Sequence, residues 1–201
     1  VGGSWFLPRL PGELGMYMAM TGARLKSADC VYAKICDAYM PSDRHDEFVA
    51  ALRAGKGIEN VLACFSVAPG EAALAEIRDA IDLCFSGCSV EEIVMALEAD
   101  GSEWSTKQLG IMAGKSPTSQ KVAYRQLRAG AALDFDGCMV MEYRMSQAFM
   151  EGGDTFEGIR AVVVDKDMSP KWSPASLSDL SDADVARYFI SLGERDLTFP
   201  D

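Results

Sequence analysis

The chain is 201 residues long, 49% hydrophobic and 24% charged, and its 30 acidic residues against 19 Lys and Arg give a formal net charge of −11. That length is enough for one large domain or two small ones, and that charge argues against nucleic acid or an anionic membrane surface as a general partner. No apolar run approaches the roughly 20 residues of a membrane helix, and an anionic ligand would have to be met by a locally placed cation.

The six cysteines (30, 36, 64, 84, 88 and 138) are scattered through apolar patterns, with no Cys-x-x-Cys and a single histidine, His45, among charged residues. They read as reduced core thiols of a reducing compartment, without a metal site and without a disulfide framework. His45 has no orienting partner nearby and reads as a surface residue.

In chain order, Val1-Gly-Gly-Ser-Trp-Phe combines two glycines with a bulky apolar run that must pack. Gly2 and Gly3 fit either a tight turn or a close approach of backbone to ligand. The opening residues look like the middle of a fold rather than its start. Pro11 opens a predicted helix to Met20, with Leu14, Tyr17 and Met18 on one face and Thr21-Gly22 as its stop. Residues 35–40, ended by Pro41, have a sensible length for a strand.

Helices follow from residue 42 onward. One starts at Ser42 and turns Phe48, Val49 and Leu52 inward; a continuous helix over 71–85 carries Leu74, Ile77, Ile81 and Phe85 on one stripe, stopped by Gly87. Ser89-Val-Glu-Glu92 is a capping box for a helix ending near Asp100-Gly101. Ser116 and Pro117 occupy the N-cap and first position of the next helix. Residues 133–150 follow with Cys138, Met141, Met145 and Phe149 at helical spacing, and Ser181-Asp-Ala-Asp184 caps a last helix.

The least generic stretch is Phe156-Glu-Gly-Ile-Arg-Ala-Val-Val-Val-Asp-Lys-Asp-Met-Ser-Pro-Lys-Trp172. Three consecutive valines favour a strand. Against that, Asp154-Thr-Phe-Glu157 has capping-box spacing and Phe156, Ile159 and Val163 recur at three and four, which predicts an amphipathic helix breaking at Pro-Lys-Trp.

This stretch resembles the closing motif of the 3-hydroxyisobutyryl-CoA hydrolases, a branch of the crotonase (enoyl-CoA hydratase/isomerase) superfamily. The Glu-Gly helix ending in acidic-Lys is shared across the superfamily; the Ser169-Pro-Lys-Trp172 extension narrows the resemblance to the hydrolases. Lys115-Ser-Pro-Thr-Ser119 before a Leu-Arg-x-Gly helix end, and Val1-Gly-Gly-x-x-Phe-Leu7, are similar to two further motifs of that branch, in the same order. Lys34 stands where many members have Gly, a departure that argues against the usual left-handed turn there.

The resemblance implies a mainly α chain with one or two short strands, the C-terminal portion of an α/β crotonase fold. Residues 1–41 would be the end of the crotonase core, and 42–201 a C-terminal helical region covering an acyl-CoA site. It implies a thioester hydrolase of valine catabolism, in the mitochondrial matrix or a bacterial cytoplasm, with a homo-oligomer among the options. Acyl-CoA would be the substrate, coenzyme A entering only as part of it, with no separate cofactor. The family's acid/base carboxylates and oxyanion amides would all precede Val1, so no catalytic residue is expected among the 201, and the missing N-terminal half is the implied partner.

Gly2 and Gly3, next to the active-site loop, and Lys166, at the position that reaches the nucleotide end of CoA, are the implied substrate-binding residues. Arg160 and Lys171 read as helix-end cations facing the macrodipole, which is also the alternative for Lys166. Two other functions compete: an enoyl-CoA hydratase or isomerase on the same fold, against which the long helical region 69–150 speaks, and a non-catalytic helical interaction module should these residues be the whole protein.

Overall fold

In the computed structural model, which describes residues 1–200, the helices run in order as α1 (Gly3–Phe6), α2 (Leu14–Thr21), α3 (Ser27–Tyr32), α4 (His45–Arg53), α5 (Ile58–Phe65), α6 (Ala73–Glu76) and α7 (Arg78–Cys84). They continue as α8 (Val90–Asp100), α9 (Glu103–Ala113), α10 (Pro117–Gly130), α11 (Phe135–Glu151), α12 (Gly153–Ile159) and α13 (Asp182–Ala186). Short 3₁₀ turns lie between several of them, and α12 runs directly into a π-helical turn, Arg160–Val164.

The caps explain most of these starts. Ser89, Ser102, Ser116, Asp134 and Ser181 each accept, through the side chain, the backbone N–H three residues on, satisfying a donor that a first helical turn cannot pair internally. Gly22 and Gly101 close α2 and α8 in the left-handed conformation, as the sequence predicts.

The backbone forms two units: Val1–Ala23 with Asp82–Asp201, and Arg24–Ile81. In the first unit the core gathers Leu14 and Met20 of α2, Phe85, Val90, Ile93 and Leu97 around α8, Met112 of α9 and Val122 of α10, all 2% exposed or less. Tyr17 meets the Phe85 ring edge-on at 5.4 Å, and Phe85 meets Trp104 at 6.4 Å. A second cluster joins Val122, Met141, Met145, Val185 and Tyr188.

In the second unit Asp29 is the knot. Its carboxylate accepts from the Lys26 N–H at the start of α3 and from the buried Leu74 N–H in the first turn of α6, at 3.2 and 2.9 Å. The Phe48 and Phe65 rings pack edge-on at 5.7 Å between α4 and α5, and His45 is exposed at the start of α4.

Five expectations are corrected. The strand over 35–40 is not formed: among the described residues there is no strand, and the Tyr39 carbonyl makes one bond, from the Val67 N–H at 2.9 Å, whereas a strand exists only as half of a ladder. Lys34 does adopt the left-handed turn, with φ 58, because the Ile35 and Cys36 N–H groups close back onto the Cys30 carbonyl. The helix over 71–85 is interrupted at Ile77, where φ −109 and ψ 7 leave the helical region. The first predicted helix begins at Leu14, three residues beyond Pro11.

The fifth concerns the cysteines. Cys84 and Cys138 are buried, but Cys36, Cys64 and Cys88 are exposed and therefore not core thiols. All six are unbridged, and burial raises the Cys84 and Cys138 thiols above their ordinary pKa.

Because Phe85 is fully buried between two rings, Phe85→Ala should cost about 3–5 kcal/mol through lost transfer energy and an unfilled cavity, read as a lower urea midpoint with an unchanged slope.

Candidate functional site

The Gly2–Gly3 stretch is held by charge and by close packing. Gly2 has φ 89, a conformation natural to glycine, and its N–H donates to Glu142 Oε2 of α11 at 2.7 Å. The Ser4 N–H donates to Oε1 of the same carboxylate at 2.8 Å, and the Gln126 amide of α10 donates to the Ser4 hydroxyl at 2.7 Å. Burial pushes the Glu142 carboxyl up, but the Ser4 and Gly2 N–H groups outweigh it and hold the pKa below its ordinary value.

One turn further along α10, Gly130 is where α1 crosses: a methyl there would overlap the Ser4 carbonyl oxygen. Arg9 completes the seat, lying 3.4 Å from the Trp5 ring centroid and donating to the Trp5, Gly130 and Leu133 carbonyls. The Gly2 amide is thus taken by Glu142, whereas the Gly3 N–H has no acceptor among the described residues.

The second assembly is built on Asp154, and here the helix start differs from expectation. Gly152, not Asp154, is the N-cap of α12, so Asp154 sits inside the first turn. Its buried carboxylate instead accepts the Ser116 hydroxyl at 2.6 Å and the Ser173 N–H at 3.0 Å. The Lys-Ser-Pro-Thr-Ser motif and the residue that follows Ser-Pro-Lys-Trp therefore meet on one carboxylate. Trp172 donates its indole N–H to the Gly114 carbonyl at 3.1 Å and lies against α12, where a Cβ on Gly158 would come within 3.3 Å of the ring.

The third is Arg160. Its Nε and Nη2 reach the two oxygens of Glu157 at 2.8 Å each, while Nη1 reaches Asp165 at 2.7 Å and Asp167 at 2.6 Å. Glu157 also accepts the Lys171 N–H at 2.6 Å. The Arg160 guanidinium, followed by that N–H, holds the Glu157 carboxyl down to about 2. Lys166 follows the π turn with φ 57; it is exposed, and among the described residues its ammonium makes no ion pair. Arg160 is thus an internal ion-pair centre, not a cation facing a helix end, and Lys171 contributes its backbone.

The apolar stripe expected to face inward does not. Phe156, Ile159 and Val163 are 53%, 47% and 61% exposed, and Val162, Val164 and Met168 are exposed with them, while Ala161 is fully buried. The π turn closes from the Asp165 N–H to the Arg160 carbonyl at 2.8 Å, with five residues in the closure instead of four; Phe156 and Ile159 precede it, so the stripe is exposed ahead of the turn as well as within it. Of the three implied binding residues, Gly2 and Gly3 stand on α10 and α11, and Lys166 on the turn beyond α12; no hydrogen bond or ion pair joins them. Among the described residues no cluster of three or more His, Cys, Asp or Glu side chains is arranged to hold a metal.

Glu142 and Gln126 escaped the sequence reading, though a signal was there. Glu142 lies on the stripe of Cys138, Met145 and Phe149, and Gln126 on that of Val122 and Gly130. A polar group on an apolar stripe needs a buried partner.

These features have known counterparts. The chain belongs to the enoyl-CoA hydratase/isomerase family, whose description matches residues 1–189, and its helices are the C-terminal portion of the crotonase fold. More narrowly, it is 42% identical to the mitochondrial 3-hydroxyisobutyryl-CoA hydrolase of Xenopus laevis over 98% of this chain, and 41% identical to that of Homo sapiens over 99%. The chain spans about half the length of these relatives, 54% in each.

Among solved structures it matches a carnitinyl-CoA dehydratase from Mycobacterium thermoresistibile with a TM-score of 0.90 and 37% identity, covering 98% of this chain and 57% of that one. An enoyl-CoA hydratase from Rhodobacter sphaeroides 2.4.1 matches with a TM-score of 0.88 and 31% identity, over the same shares of each chain.

Two outcomes follow. Asp154→Ala leaves the Ser116 hydroxyl and the Ser173 N–H without their buried acceptor and should cost about 1–3 kcal/mol, measured by urea unfolding. Glu157 is an acid with a depressed pKa, so its stabilisation is complete above the ordinary value of 4.5 and is lost as pH falls towards 2. The urea midpoint should drop across that window, and Arg160→Gln should flatten that part of the profile.

Proposed function

We propose that these residues form the C-terminal half of an acyl-CoA thioester hydrolase acting on 3-hydroxyisobutyryl-CoA in valine breakdown. The carrying observation is the 42% identity over 98% of the chain to a protein of that name. The architecture supports the reading by giving the Ser169-Pro-Lys-Trp172 extension a structural task, since Trp172 is bound to Gly114 and the next residue, Ser173, to Asp154.

In this reading water adds to the thioester carbonyl, a carboxylate on the segment preceding Val1 takes its proton, and the tetrahedral oxyanion collapses to expel the coenzyme A thiol. The residues present here bind and shape. Gly2, locked through its amide by Glu142, fixes the backbone of the acyl-site wall, and the Gly3 N–H remains available as a donor. Residues 1–41 complete the core and 42–201 cover the acyl-CoA. Lys166 supplies the local cation that an acidic chain requires for the phosphates of the nucleotide. Coenzyme A enters as part of the substrate, and no separate cofactor is needed for this chemistry. The location proposed is the mitochondrial matrix, in line with the names of the relatives, or a bacterial cytoplasm.

A second reading, hydration of an enoyl-CoA, is favoured by the two matched structures, a dehydratase and a hydratase. The two separate in one experiment on the full-length protein. Hydrolysis predicts release of free thiol from 3-hydroxyisobutyryl-CoA and no loss of the enoyl chromophore of crotonyl-CoA; the reverse pattern would establish the hydratase. Neither activity, in a protein that still binds coenzyme A, would leave a non-catalytic binding module.

A further inference from the structure

Lys166 stands between two aspartates in a chain with a net charge of −11, and a cation so placed would ordinarily be neutralised by its neighbours. It is not, because both carboxylates are engaged elsewhere: Asp165 and Asp167 close on one atom, Nη1 of Arg160, at 2.7 and 2.6 Å. Two side chains separated by one residue converge on a point only if the residue between them turns away from it. Lys166 does so in the left-handed region, with φ 57, and Met168 follows with φ 54.

That conformation is disfavoured for any residue with a Cβ, so two within three residues require an external hold. The hold is centred on Arg160. Its Nη2 donates to the Ser169 carbonyl at 3.2 Å, and Asp167 in turn accepts the Ser169 N–H at 2.9 Å. The backbone adds the Asp165 N–H on the Arg160 carbonyl and the Met168 N–H on the Ala161 carbonyl, at 2.8 and 3.1 Å. On its far side the guanidinium is anchored by both oxygens of Glu157. A lysine at 160 would be a single point charge and could not fork among three carboxylates in this way.

We infer that Arg160 is a positioning residue for an anion-binding cation: it occupies the two aspartates that would otherwise neutralise Lys166 and fixes the turn that presents Lys166 to the phosphates of coenzyme A. This rests on the reading of Lys166 as a contact to the nucleotide end. Arg160 itself touches no substrate. Its loss releases Asp165 and Asp167 to pair with Lys166, so the effect falls on phosphate binding alone.

The test uses the full-length protein and calorimetric binding of two probes, coenzyme A and pantetheine, the latter lacking the nucleotide and its phosphates. Lys166→Ala and Arg160→Gln should each weaken coenzyme A binding by about tenfold, the scale of one charged hydrogen bond, and leave pantetheine binding within twofold. Arg160→Lys should behave like Arg160→Gln, and serves in its place should the latter fail to fold.

Equal weakening of both probes by the Arg160 variants would mean a general collapse of the wall and would overturn the positioning role. So would a silent Arg160→Gln beside an affected Lys166→Ala, which would leave the Lys166 reading standing. A silent Lys166→Ala would remove the nucleotide contact and the positioning role with it.

Discussion

The first unit is assembled against α10, where a lack of volume is a firm constraint. At Gly130 the backbone of α1 comes so close that no side chain fits between Ser4 and α10. From that crossing the rest follows: Ser4 is brought over Gln126, the Gly2 and Ser4 amides over Glu142, and Arg9 over the carbonyls that end α10. The same helix meets α2, α8, α11 and α13 along its length. A loss of van der Waals room at one residue thus sets the position of the only segment whose backbone the family resemblance places beside the chemistry.

The charge of −11 takes on a different meaning once the acids are located. Asp29, Glu142 and Asp154 each accept backbone N–H or hydroxyl groups from segments far apart in sequence. Asp196 binds Arg144 through both oxygens and accepts the Ser191 hydroxyl, which pulls its pKa far below the carboxylate range and ties the tail to α11. Many of the acids are therefore structural acceptors joining a fold built of short helices. Hydrogen bonds to ionised acceptors are stronger than neutral ones, which suits segments too short to be stable helices alone.

What could be read from the residues divides along physical lines. Caps were legible at Ser89, Ser116 and Ser181 because the interaction spans three residues and the sequence contains both partners. The Asp154 box had the right spacing and the wrong partner, since a buried hydroxyl 38 positions away competes better than a local N–H. The valine run was predicted helical and forms a π-helical turn, a form that leaves no mark in composition, while its stripe is exposed from Phe156 onward, ahead of that turn. The strand over 35–40 had adequate propensity and no second strand. At the candidate site, Gly2, Gly3 and Lys166 came from motif resemblance, whereas Glu142, which holds the first of them, was visible only as a charge on an apolar stripe.

The π turn at Arg160–Val164 makes this region tolerant of a change in chain length. A five-residue closure differs from an ordinary helical turn by a single residue. Deleting any one of the three valines would restore a regular ladder with no change in polarity. The aspartate N–H that closes on the Arg160 carbonyl would do so from four residues on instead of five, so the Asp-Lys-Asp triplet would keep its place beside the guanidinium. A lineage that lost one valine here would therefore exchange a π turn for an α turn while keeping its motif letters and the direction in which its basic group points.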